Sequence, residues 1–307
     1  MKKKAIIIGV CALALVAAIV VPIILLSNSG AAKVVVISLS GTITAGDSSS
    51  LSSSTITPGL VRDYLSRVDK DEAVKAIVLR VESPGGEIEP CQEILLEIEK
   101  AKETKKIVVS MGGMAASGGY YISTQADKIV ALPTTQTGSI GVISAVINIE
   151  GLLEKLGIEI EIFKGGKYKD MYRGFREMTP EEEEVMQQMI DEYYEQFVDV
   201  VSEGRGLSKE AIRDLATGQL YSGARAKELG LIDELGDLDT AIDLALELAG
   251  LETALVEYYQ PPRLTLWSLL GLADAIKLRI SGLSTEDIIV LEVLSHNYQQ
   301  PLFLYQS

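Results

Sequence analysis

The chain has 307 residues, 47% of them hydrophobic and 23% charged, a globular composition with enough apolar side chains for one large core or two modest ones. Its 43 acidic against 28 basic residues give a net charge of −15, which leaves no basic stripe for phosphates and excludes nucleic acid as a partner. Two cysteines, Cys11 and Cys91, make no disulfide framework. The single histidine, His296, excludes a multi-histidine zinc site and any Ser-His-Asp triad that does not borrow from the C-terminal tail.

Lys2, Lys3 and Lys4 precede an uncharged apolar run from Ala5 to Leu26, about the 20 residues that a helix needs to cross a bilayer. A cleavable signal peptide is the rival reading, but its apolar region is shorter and ends at a small-residue site that is not evident here. Residues 1–31 therefore read as a cytoplasmic basic stub and a single transmembrane anchor. With no basic residue between the run and Lys33, the rest of the chain is expected on the extracytoplasmic side of the cell membrane.

Strands and helices then alternate. Val34–Leu39 reads as a buried strand, Gly41–Thr57 as a Ser/Thr/Gly-rich loop, Pro58–Val68 as a helix and Ala76–Val81 as a second strand. A helix is expected over Glu87–Lys102, a strand over Ile107–Met111, a helix over Ala115–Thr124 and a strand over Lys128–Leu132. Strands separated by helices of ten or more residues pair in parallel, so the class is α/β. Thr179-Pro180 with Glu182 is a capping box that opens a long helix, along which Met186, Met189, Ile190, Tyr193, Tyr194 and Phe197 recur at helical spacing as a packing stripe. Residues 260–307 read as a helical extension and tail. Pro301–Tyr305 is short, apolar and extended in propensity. It either packs on a neighbouring subunit or docks by strand addition beside a peptide groove.

Two glycine-rich turns look chemical. In Met114-Ala-Ala-Ser117-Gly118-Gly119-Tyr120-Tyr121 a serine sits among small residues just after a strand, where new-helix N–H groups can face a developing oxyanion. Ser83-Pro84-Gly85-Gly86 repeats the form and could supply the other half of an oxyanion hole. As a purely structural alternative, Ser117 is simply an N-cap. Neither turn has phosphate-loop or dinucleotide spacing, so no cofactor is expected. A hydroxyl nucleophile needs a base, and with His296 remote lysine is the candidate, because a buried neutral amine is competent. Lys164, Lys167 and Lys169 lie close together, and composition does not choose among them.

The segment Ser110–Ser123, with Ser83-Pro-Gly-Gly86 upstream and Thr137-Gly-Ser-Ile-Gly-Val142 downstream, resembles the signal peptide peptidase A family of membrane-bound serine proteases. The likeness continues through Glu177–Glu182, Gly204-Arg-Gly-Leu207 and Gly230–Gly236, from Lys33 to about Leu248. It implies a ClpP/crotonase-like spiral of ββα units over residues 32–259 and a Ser-Lys dyad. Ser117 would be the nucleophile, Lys169 the general base and Ser139 the serine that orients the lysine; the N–H groups of Gly86 and Gly118 would form the oxyanion hole. It further implies signal peptides and similar apolar peptides as substrates, and a ring-like homo-oligomer. One departure stands out: the family commonly has a third glycine after Pro-Gly-Gly, and here it is Glu87. Two other readings of such a fold remain, an acyl-CoA-type crotonase enzyme and an inactive membrane scaffold. The joint presence of serine, lysine and the apolar anchor argues against both.

Overall fold

The computed structural model describes residues 31–46, 55–259 and 302–304. In chain order the elements are β1 (Lys33–Ser40), β2 (Thr42–Ile43), β3 (Thr55–Ile56), α1 (Pro58–Lys70), β4 (Val74–Ser83), β5 (Gly85–Glu87), α2 (Ile88–Lys102), β6 (Lys106–Ala116) and α3 (Gly118–Tyr121). There follow β7 (Lys128–Ala131), β8 (Gln136–Gly138), α4 (Glu150–Leu156), α5 (Pro180–Arg205), α6 (Lys209–Leu215), β9 (Leu220–Ser222), α7 (Gly223–Glu228), β10 (Glu234–Leu235), α8 (Leu238–Leu248), β11 (Leu255–Tyr259) and β12 (Leu302–Leu304).

The main sheet has the order β10-β7-β6-β4-β1-β11, parallel throughout, with β8 continuing the β6 edge and pairing antiparallel with β9. Its central strands are buried on both faces, which is why they read as unbroken apolar runs. One face carries Val35, Ile37, Ile77, Leu79, Ile107 and Val109 against the main core; the other sets Val34, Val36, Ala76, Val78 and Val108 against Ala241, Ile242 and Ala245 of α8. The result is helix on both sides of a parallel-rich sheet, an α/β architecture that fits the ClpP/crotonase-like expectation. The order β4–β5–α2, a long strand, a short strand outside the main sheet and a helix, is one ββα unit. β5 belongs to a second small sheet of order β12-β5-β2-β3.

The expected elements lie where the periodicity puts them, with two corrections. The Gly41–Thr57 loop contains β2 and β3, which pair in parallel across it. The helix expected over Ala115–Thr124 is not formed as such: Met114–Ala116 extend β6 because β8 offers them a ladder partner, and the α-helix is the single turn Gly118–Tyr121. At Thr179 the capping box is complete, and Phe197, Val198 and Val201 of α5 are buried. Among the described residues no helix is long and apolar enough to cross a membrane. The Ala5–Leu26 anchor and the helices expected within 260–301 lie outside the described residues.

Candidate active site

Two strands deliver the two glycine-rich turns to one edge. β4 ends at Ser83, its neighbour β6 ends at Ala116, and both turns therefore emerge at the carboxyl edge of the sheet. β6 reaches that edge through a bulge. Val81 pairs with Met111 but Ser83 pairs with Ala115, so β6 spends two more residues than β4 over the same stretch. Such irregularities re-aim the strand end. Beyond it Met114–Ala116 pair with Gln136–Gly138, and the Ser117 N–H donates to the Gly138 carbonyl at 2.8 Å.

Ser117 stands at φ 52° and ψ −119°, a conformation that costs a non-glycine residue about 1–3 kcal/mol and that surrounding structure must hold in place. Its hydroxyl makes no N-cap bond, and Oγ is buried with no hydrogen-bond partner among the described residues. A hydroxyl that served only as a helix cap would be bonded to the N–H two or three residues on. Ser117 occupies the N-cap position, but its hydroxyl does not do the work of a cap. Gly118 begins α3, so its N–H is one of the unpaired donors of a helix start. A Cβ placed on Gly118 would lie 3.1 Å from Gly86 N and 2.6 Å from Cys91 Sγ. The two glycines expected to line the oxyanion hole are thus brought together, and the close approach demands glycine at 118. Burial pushes the Cys91 thiol up, with Glu87 adding to the effect, which keeps it an inert packing group.

Glu87 turns away from this approach. Its carboxylate accepts from Thr44 Oγ1 at 2.9 Å and from the Ala45 N–H at 3.0 Å, tying the end of β2 to the strand of Gly86. Ser139 is buried, at φ 51°, and lies one residue beyond the Gly138 carbonyl that holds Ser117.

The three lysines separate by their partners. Lys164 donates to Asp170 Oδ1 and Lys167 pairs with Glu181, which raises the Lys167 ammonium above its ordinary range. Lys169 is exposed and has no carboxylate partner among the described residues. The structure does not join it to Ser117. Its segment is braced nearby by Asp170, which accepts from Arg176 Nε at 3.1 Å, while Arg176 reaches Glu182 with two nitrogens at 2.6 and 2.8 Å. Hydrogen bonds from Arg176 first, and then from Lys164, hold the Asp170 carboxyl down at about 2. Those from Arg176, and then from the Thr179 N–H, hold Glu182 down at about 2. Glu182 is marked in the sequence by the capping box, but Asp170 and Arg176, like Arg80 and Glu82 of β4, carry no periodic or motif signal.

The last described segment lies at the same edge. β12 runs antiparallel along β5, with Leu302 opposite Glu87, Phe303 opposite Gly86 and Leu304 opposite Gly85. An extended stretch of chain thus adds a strand to the turn that carries Gly86.

The sequence profile of peptidase family S49 matches residues 99–252, the span that holds Ser117, Ser139 and Lys169. The chain belongs to that family, the signal peptide peptidase A family of serine peptidases. A Synechocystis protein provisionally named a protease is 38% identical over 240 residues, covering 77% of this chain and 87% of its own. An Enterococcus faecium protein provisionally named signal peptide peptidase SppA is 39% identical over 229 residues, 74% of this chain and 67% of its own. Protease 4 of Salmonella typhi is 42% identical over 191 residues, 62% of this chain but only 31% of its own length.

Proposed function

We propose that this chain is a membrane-anchored serine endopeptidase that cuts extended apolar peptides, cleaved signal peptides among them, with Ser117 as nucleophile and Lys169 as base. The observation that carries the reading is the buried, unpartnered Ser117 Oγ on a strained turn beside the Gly86 and Gly118 backbone. Neutral Lys169 takes the Ser117 proton as Oγ bonds to the peptide carbonyl carbon. The oxyanion rests on the N–H groups of Gly86 and Gly118, and the new ammonium protonates the leaving amine as the C–N bond breaks. Water then attacks the acyl-serine, giving a proton to the same amine, and that ammonium returns it to Ser117 Oγ as the acyl C–O bond breaks and the acid leaves. The pairing of β12 with β5 supports a peptide substrate, because it is how an extended chain binds at a sheet edge.

Assembly completes the site. Lys169 is exposed at the end of a segment whose Ile147, Leu152, Leu156, Ile158, Ile160 and Phe163 face outward, Phe163 at 91% exposure. An apolar surface of that kind is suited to a second copy of the chain. A ring of identical head-to-tail contacts would cover each such segment and bring a lysine to a serine. Labelling by a serine-directed acylating or phosphonylating probe, lost in Ser117→Ala, tests the nucleophile. Turnover of an acyl-CoA thioester with no labelling would reject the protease in favour of the crotonase-type reaction. Mixing Ser117→Ala with Lys169→Ala protein tests assembly, since activity returns only if one chain serves its neighbour.

A further inference from the structure

β4 presents Arg80 and Glu82 two residues apart, hence on the same face of the strand. Arg80 Nη1 donates to Ser110 Oγ at 2.8 Å and to the Met111 carbonyl at 2.9 Å, immediately before the β6 bulge. The Glu82 carboxylate accepts from the Gly113 N–H at 2.6 Å and from the Met114 N–H at 3.1 Å, immediately inside it. The β4 register skips Gly112 to Met114, so these two donors are taken by a side chain in place of a ladder. A Cβ at position 112 would fall 1.7 Å from Glu82 Oε2, so any larger residue there displaces that carboxylate. A cation thus grips the carbonyl on one side of the bulge and an anion grips the amides on the other, each through charge-assisted bonds.

We propose that Arg80 and Glu82 form a clamp that fixes where the two surplus residues of β6 are stored and so aims the Ser117 hydroxyl; both are positioning residues for the nucleophile. β6 is held by β4 up to Met111 and again at Ala115, and by β8 from Met114 to Ala116. The surplus between these two grips can move only if the bulge amides change partner. A slip of one residue along a strand turns every following side chain to the opposite face, which at Ser117 withdraws the hydroxyl from the glycine turns. Glu82 is itself exposed, so its removal opens no cavity and its effect falls on strand geometry.

This inference rests on the reading of Ser117 as nucleophile, and the experiment separates the two. The full-length protein in detergent is treated with a fluorophosphonate probe, and the labelling rate is followed beside peptide kcat and KM and a melting curve. Glu82→Gln keeps an acceptor for only one amide, so both labelling and kcat are expected to fall about tenfold or more while KM stays within about twofold and the folded fraction at the assay temperature is unchanged. Gly112→Ala displaces the same carboxylate and should match it, with the double variant no slower than the worse single one. Glu82→Asp serves where the glutamine variant does not fold. Labelling rates within twofold of the parent in these variants, or losses that track only the unfolded fraction or multiply in the double variant, overturn the clamp. Labelling that survives Ser117→Ala would instead overturn the nucleophile reading.

Discussion

Asp170 is tied to Glu182 through Arg176, whose guanidinium holds one carboxylate with Nε and the other with Nη1 and Nη2. The residue next to Lys169 is thereby fixed to the capping-box glutamate of α5, and the segment that carries the proposed base is anchored to the start of a 26-residue helix.

The first prediction follows from the partners of the lysines. Lys164→Ala and Lys167→Ala remove ammonium groups already committed to Asp170 and Glu181 and should leave substantial peptidase activity, whereas Lys169→Ala should lose about 10²–10⁴-fold in kcat, the usual worth of a general base. Lys169→Arg should not rescue, because guanidinium does not deprotonate in a protein. A lysine that acts as a base must do so as the free amine, so under this proposal the parent rate should climb with pH. A rate already flat from about pH 5 upward would contradict a lysine base.

The Asp170–Arg176–Glu182 bridge predicts an acid limb of stability. Both carboxyls are held at about 2 in the folded chain, against about 4 when unfolded. Their stabilisation is complete above the unfolded value and is lost as pH falls from about 4 towards 2. Thermal melts from pH 7 to 2.5 should show the parent losing stability steeply over that window. Asp170→Asn should start lower at pH 7 and fall less; an equal slope in both proteins would show that the bridge contributes nothing to the transition.

Gly118→Ala should abolish labelling of Ser117 with little change in secondary structure, since the added Cβ lies 2.6 Å from Cys91 Sγ and 3.1 Å from Gly86 N. Adding Cys91→Ala removes the sulfur and should restore part of the labelling rate; full restoration would mean that the approach to Gly86 tolerates a methyl group.

For the tail, intact masses decide. If Leu302–Leu304 occupies the peptide edge of β5 in the working enzyme, active protein should shorten at its C-terminus while Ser117→Ala protein stays whole. Deleting Pro301–Ser307 should lower the apparent KM for peptides. Equal masses reject self-trimming, and unchanged kinetics reject a groove ligand.

The main sheet was legible because its strands are apolar on both faces and its helices are long. Thr179, Pro180 and Glu182 announced α5 through side chains that cap it locally. Alanine favours helix in isolation, and Ala115 and Ala116 are strand through distant partners, Ser83 and Thr137 for the first and Gly138 for the second. Ser117 was readable from its small neighbours, but its positive φ is imposed by the turn. Composition offered three equal lysines, and the choice of Lys169 came through family likeness; Asp170 and Glu181 separate them physically, by tertiary pairing that no spacing rule reports.

The pairing of β1 with β11 sets where forces enter the molecule. The two strands are parallel in register from Lys33 opposite Leu255 to Ile37 opposite Tyr259, so the chain preceding Lys33 joins the amino edge of the sheet and the chain following Tyr259 leaves toward the carboxyl edge. β1 has eight residues, which at about 3.3 Å each places the two edges about 25 Å apart. A tether pulling ahead of Lys33 would therefore load the edge opposite to the Ser117 turn. The Ser117 turn would stand off from the point of attachment by about that length of strand, and β11 runs toward the same edge as that turn.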